Sequence, residues 1–298
     1  MPKSTFWLGL LTILLAAACG MVVWHLAAAE RTVPAGIVDG IQLGFDVLEA
    51  DAGRAANGAS AESTVWWDSE AGVMRAENNA FVVRPIASLT KLMTAMVALD
   101  HGIDWDQPVD ILPEEYVIGG QLLLHSGEKV TMRDLFHASL LGSANNATLA
   151  YVRALHIPEE EFIREMNRKA IALGLEQTRF SEVTGLDTDN VSTAYEAARM
   201  AEAAFRDYPE IARVTSLHDY SFTVLGRGRV HTISNTNKLL SDGDMSFTGS
   251  KTGYLYEAGY CLVVRGADKL SRHIVVVLGA ASERQSLETI KKIALQFD

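Results

Sequence analysis

Cysteine is almost absent from this chain of 298 residues: Cys19 and Cys261 are the only two, each inside an apolar run, so no disulfide framework staples the body together. Zinc has no support either, because the eight histidines form no H-E-x-x-H and no Cys/His pairing at metal-ligand spacing. No metal and no cofactor are therefore expected. Positive charge is scarce, with 26 Lys and Arg against 37 Asp and Glu for a net charge of −11. Such an acidic chain repels a phosphate backbone inside the screening length, which argues against a nucleic-acid partner. No internal repeat is visible. What remains, at 48% hydrophobic and 21% charged residues, is a globular composition that can bury a core in one large domain or two small ones.

One long apolar run does stand out. After Lys3, residues Phe6 to Ala29 include only Thr12 and His25 as polar members, long enough at about 1.5 Å per residue to cross a bilayer core. Residues 1–29 read as a signal sequence or N-terminal membrane anchor. Ala27, Ala28 and Ala29 offer a small-residue cleavage site, yet the run exceeds the roughly 7 to 15 residues usual in a cleaved signal, which favours an anchor. Cys19 follows three alanines, a faint lipid-attachment pattern, but apolar sequence continues beyond it and a small residue in a spanning helix is the simpler reading. The single basic residue of the leader places the acidic body outside the cytoplasm. Residues 30–63, rich in Ala, Gly and Asp, read as a flexible tether, and 64–298 as the folded body.

The body alternates strand and helix signals. Thr64 to Trp67 and Val73 to Arg75, around turn residues, predict a hairpin. Ser88 to Leu99 reads as a helix buried on most of its circumference, and further helices are expected at Met132 to Leu141, Asn146 to Leu155, Glu159 to Leu173 and Thr193 to Phe205. Thr193 and Glu196 stand at capping-box spacing. Strand signals return at Tyr220 to Leu225, Val230 to Ile233, Gly259 to Val264 and His273 to Leu278, and a last helix starts near Ser282. Strands at both ends around a helical middle predict an α+β fold: one antiparallel sheet built from the two chain ends, flanked by helices, with an inserted helical subdomain.

Three short motifs carry chemistry. In Ser88-Leu89-Thr90-Lys91 the serine and lysine, three positions apart on a helix, project from one face, so the amine can reach the hydroxyl. Ser143-Ala144-Asn145 sits between two predicted helices, where a hydroxyl and an amide can face a cleft or simply cap the helix that follows. Lys251-Thr252-Gly253 precedes a predicted strand, where Gly253 lets a ligand approach the sheet edge or merely makes a turn. Each is weak by itself. Together, in this order and 55 and 108 positions apart, they outweigh the separate bland readings.

The set resembles the serine penicillin-recognising enzymes, which combine S-x-x-K, S-x-N and K-T-G. More narrowly, Arg84 to Ala95, Gly127 to Thr131, Thr184-Gly185-Leu186-Asp187 and Glu257 to Val263 are similar to the low-molecular-mass D-alanyl-D-alanine carboxypeptidases and endopeptidases. The resemblance runs from about Thr64 to the C-terminus and implies a β-lactamase/transpeptidase-like fold. It also implies a serine-type D,D-peptidase of peptidoglycan stem peptides in the cell envelope, inhibited by β-lactams. Two departures are visible: the chain ends soon after its last predicted helix, leaving any anchoring to the N-terminal segment, and Ala144 stands where glycine is frequent.

The chemistry implied by that resemblance is acyl transfer. Ser88 needs a base, which Lys91 supplies once its pKa falls far below about 10, helped by burial and by the nearby ammonium of Lys251. Ser143 would relay the proton to the departing nitrogen, and the backbone NH groups of Ser88 and Tyr254 would hold the oxyanion. Asn145 would bind a substrate amide; Thr252, beside Gly253, the terminal carboxylate; and Arg284 the same carboxylate, unless it is simply an exposed residue at a helix start. A β-lactamase would further need a deacylating glutamate, and no E-x-x-x-N spacing occurs between Asn146 and Ser250. A non-catalytic penicillin sensor or scaffold would keep Ser88 and Lys91 but release no D-alanine.

Overall fold

The structure, a computed structural model, describes residues 62–125, 127–241, 246–267 and 272–296. The apolar leader with Cys19 and nearly all of the expected tether lie outside the described residues. No helix among the described residues is long and apolar enough to cross a membrane.

In chain order the elements are β1 (Ser63–Asp68), β2 (Val73–Asn78), β3 (Arg84–Pro85), a 3-10 turn (Ala87–Leu89), α1 (Thr90–Asp100) and β4 (Pro108–Asp110). Then come β5 (Lys129–Thr131), α2 (Met132–Leu140), α3 (Asn145–Ala154), α4 (Glu159–Ala172), β6 (Val191–Ser192), α5 (Ala194–Asp207) and α6 (Pro209–Ser216). The last are β7 (Asp219–Thr223), β8 (Val230–Ser234), β9 (Phe247–Leu255), β10 (Gly259–Gly266), β11 (His273–Ala280) and α7 (Glu283–Ala294).

The main sheet has the order β2-β1-β11-β10-β9, with the pairings of neighbouring strands antiparallel. Its strands come from the two ends of the body, as the sequence predicts. Both faces are covered, which is why β11 reads as an uninterrupted apolar run rather than an alternation. Ile274, Val276 and Leu278 face the larger core with the helical middle of the chain, whereas Val275 and Val277 face a smaller one closed by Ile290 and Ala294 of α7. α1 runs through the larger core, buried from Thr90 to Ala98. A helix surrounded by protein needs no polar face, so its sequence carries almost no amphipathic period.

Caps set several helix starts. The Thr193 side chain accepts the Glu196 backbone NH at the start of α5, but Glu196 does not complete the box: its carboxylate accepts from Gln177 N and Thr178 Oγ1 and ties down the preceding loop instead. Ser282 caps α7 by accepting from Gln285 N.

Three features depart from the sequence expectation. The β7–β8 hairpin forms, but as a two-stranded sheet apart from the main one. The α6 helix, opened by Pro209, has no counterpart among the expected helices. Finally, Lys251-Thr252-Gly253 lies within β9, not ahead of the strand that follows. Two glycines and several small polar residues hide β9 from a hydrophobic-pattern reading; its pairing with β10 makes it the edge of the sheet.

Candidate active site

Three segments meet in a cleft of about 620 Å³ lined by Ser88, Ser143, Asn145, Thr252, Gly253 and Tyr254, among others. The Ser88 segment is not plain α-helix. Ser88 sits in the 3-10 turn that leads into α1, and Ala87 before it has φ +47°, a left-handed conformation that L-residues rarely adopt. Ser143, in the bend between α2 and α3, has φ +55°. Strained backbone at Ser143 and at the residue before Ser88 fits a site where side-chain aim outweighs local comfort. Helix α3 begins at Asn145, one residue earlier than expected, with Ala144 in the cap position and no side-chain cap. The Ser143 hydroxyl is thus not spent on capping.

Lys91 is fully buried, and its Nζ lies 2.8 Å from Ser88 Oγ, 2.7 Å from Asn145 Oδ1 and 2.5 Å from the Thr184 carbonyl oxygen. Removal from water pulls its pKa down to about 7, partly offset by the negative charge of Glu182. A neutral amine donates two hydrogens. With Asn145 Oδ1 and the Thr184 carbonyl taking those, the lone pair is left for the Ser88 hydroxyl. Asn145 Nδ2 donates 2.7 Å to the Ile118 carbonyl, and Asn145 lines the cleft.

Lys251 is also buried, and donates 2.8 Å to Ser143 Oγ and 2.9 Å to the Thr252 carbonyl. Burial, then repulsion from Lys91, pushes its pKa well below the ordinary lysine value. The Thr252 hydroxyl meets Thr236 Oγ1 at 2.5 Å, and both residues line the cleft. Gly253 is required by proximity: a Cβ there would stand 2.9 Å from the Ser88 backbone nitrogen. Its bare backbone lets β9 lie against the Ser88 turn, with the NH of Tyr254 next along the strand.

Of the residues named from sequence, Ser88, Ser143, Asn145, Thr252, Gly253 and Tyr254 line this cleft, Lys91 and Lys251 bond to its two serines from buried positions, and Arg284 stands apart. Arg284 is 87% exposed on α7 and pairs with Glu288 at 2.7 Å, whereas Glu283, Ser286 and Leu287 of the same helix line the cleft. Thr236, Gly119 and Gly120 line the site without a sequence signal. The two glycines leave room that a Cβ would fill, 2.8 Å from Asn145 Nδ2 and from the Ser143 carbonyl oxygen respectively. Glycine next to glycine in an unpatterned loop was the only hint available.

An antiparallel sheet with helices on both faces, and two serine–lysine pairs meeting at its edge strand, define a serine acyl-transfer enzyme. Residues 50–282 match the D-alanyl-D-alanine carboxypeptidase family. The chain belongs to that family and is a serine-type peptidase. It is 35% identical over 217 residues to a D-alanyl-D-alanine endopeptidase of Pseudomonas aeruginosa, covering 72% of this chain and 69% of that one. It is 31% identical over 239 residues to the D-alanyl-D-alanine carboxypeptidase DacF of Bacillus subtilis, covering 78% and 61%. Among solved structures, a penicillin-binding protein from Listeria monocytogenes in its cefotaxime-bound form superposes with a TM-score of 0.69 at 30% identity, covering 78% of this chain and 94% of that one.

Proposed function

We propose that this protein hydrolyses the D-alanyl-D-alanine termini, or the D,D-cross-links, of peptidoglycan stem peptides outside the cytoplasm, through an acyl-enzyme on Ser88 that β-lactams also form. One observation carries the reading: Ser88–Lys91 and Ser143–Lys251, each pair 2.8 Å apart, open on the same cleft. Neutral Lys91 takes the Ser88 proton as Oγ attacks the carbonyl, a positioned transfer worth roughly 10²- to 10⁴-fold in rate. The Ser88 and Tyr254 backbone NH groups hold the resulting oxyanion, each worth about 3 to 4 kcal/mol. Ser143, held by Lys251, relays that proton from Lys91 to the departing nitrogen, and water then adds to the acyl carbonyl, one of its hydrogens returning to Ser88 Oγ as the acyl group leaves as a carboxylic acid. Asn145 binds a substrate amide and Thr252 the carboxylate; Arg284 joins that carboxylate only by leaving Glu288.

Residues 64–298 act as the catalytic domain, held to the membrane by the apolar segment 1–29 through the tether 30–63. The test is intact-mass spectrometry after exposure to benzylpenicillin. The wild type should gain one penicilloyl adduct that maps to Ser88, and Ser88→Ala none; equal labelling of both, or of neither, would remove the nucleophile from this reading.

A further inference from the structure

Behind Lys91 lies a loop, residues 182–190, whose shape depends on one carboxylate. Glu182 Oε2 accepts from Thr184 N and Thr184 Oγ1, both at 2.6 Å. Glu182 Oε1 accepts from Gly185 N, from Leu186 N at 3.0 Å and from Asn190 Nδ2. Five donors thus converge on two oxygens, gathering the loop around one side chain. The backbone so shaped then docks on the catalytic helix at successive points. The Val183 carbonyl accepts from Thr94 Oγ1 at 2.7 Å and the Thr184 carbonyl from Lys91 Nζ at 2.5 Å. Gly185, at φ +89°, lies so close to the nucleophile turn that a Cβ would fall 2.0 Å from the Ala87 carbonyl oxygen and 2.8 Å from Ser88 N. Asn190 closes the circuit by accepting at its carbonyl from Ile86 N at 3.0 Å.

We infer that Glu182 is a positioning residue for acylation: by gathering the loop, its carboxylate fixes the Thr184 carbonyl that aims Lys91 at Ser88. Both oxygens are saturated with donors, so Glu182 does not serve as a base towards water. Glu182 from this loop raises the proton affinity of Lys91 against the burial that lowers it, while Lys251 of β9 is itself held low by burial and by repulsion from Lys91. Removing the Glu182 charge leaves burial unopposed, so Lys91 would lose its proton at lower pH.

This inference rests on the Ser88 acyl-enzyme, and the experiment separates the two. Acylation by a chromogenic cephalosporin is followed from pH 5 to 9 for the wild type, Glu182→Gln and Glu182→Asp, alongside thermal unfolding. Glu182→Gln should acylate about 10- to 100-fold more slowly at pH 8, with the acid limb of its profile displaced to lower pH, since an amide offers these donors a single acceptor oxygen and no charge. Glu182→Asp should slow acylation less and keep the wild-type limb. A folded Glu182→Gln whose limb superposes on the wild type, or whose rate is unchanged, overturns the inference. So does an acyl-enzyme that accumulates in Glu182→Gln but turns over rapidly in the wild type, because Glu182 would then be the deacylating base. If Glu182→Gln does not fold, Glu182→Asp decides: slowed acylation at a near-wild-type unfolding temperature supports the inference, and an unchanged rate refutes it. A wild type that is never acylated at Ser88 refutes the parent reading instead.

Discussion

Lys91 has no exposed surface, and burial is what turns a lysine into a base near neutral pH. With its pKa drawn down to about 7, the rate of β-lactam acylation should rise with pH through about 7 and level off above it, falling roughly tenfold per unit on the acid side. Stopped-flow acylation across that range measures the limb. Lys91→Arg keeps the charge but has no accessible neutral form, so its acylation should drop by about 10²- to 10⁴-fold at pH 8 without recovery at higher pH. The same shift bears on stability. The unfolded chain binds the Lys91 proton more tightly than the folded one, so the stability of the wild type relative to Lys91→Met should rise as pH increases from about 7 towards 10.5, as denaturant titrations at several pH values would show. Ser88, Lys91, Ser143, Asn145 and Lys251 were all legible in the sequence because short motifs report them. Glu182 was not: a single carboxylate that works by gathering backbone NH groups leaves no spacing to find.

Elements differ in how openly the sequence declares them. The helices α4 and α7 stand at the surface with one apolar stripe each, whereas α5 is buried along most of its length and is announced by its Thr193 cap; the expected starts of all three lie within a residue of the observed ones. β9 is silent by the same logic, because Gly249 lies against the Phe205 ring, Ser250 bonds to the Thr215 carbonyl and Gly253 lies against the Ser88 backbone, at positions where branched apolar residues would declare a strand. Two substitutions test how elements hold the site. Gly185→Ala forces a Cβ into the Ala87 carbonyl at a left-handed φ, so it should lower the unfolding temperature and slow acylation together, because the collision falls on the turn that carries Ser88. Thr193→Ala removes only the α5 cap far along the chain from the motifs and should cost about 1 kcal/mol in urea unfolding while leaving the acylation rate of the folded enzyme unchanged.

At the scale of the whole body, the sheet is what brings distant motifs together. β1 and β2 come from its start and β9, β10 and β11 from its end, so closing the sheet sets Lys251 beside a helical middle that already holds Ser88 and Ser143. That closure was legible in outline, as strands at both ends of a helical insertion. Which strand took the edge was not, because edge position is decided by long-range pairing and not by local pattern. The β7–β8 hairpin illustrates the same limit: its alternation and glycine turn gave the hairpin but not its separation from the main sheet. The convergence has a direct chemical test in the digestion of purified muropeptides by the wild type and Ser88→Ala, read by mass spectrometry. The wild type should remove one D-alanine or open a D,D-cross-link and Ser88→Ala should leave the same muropeptides intact; identical products from the two proteins would contradict a Ser88-centred D,D-peptidase.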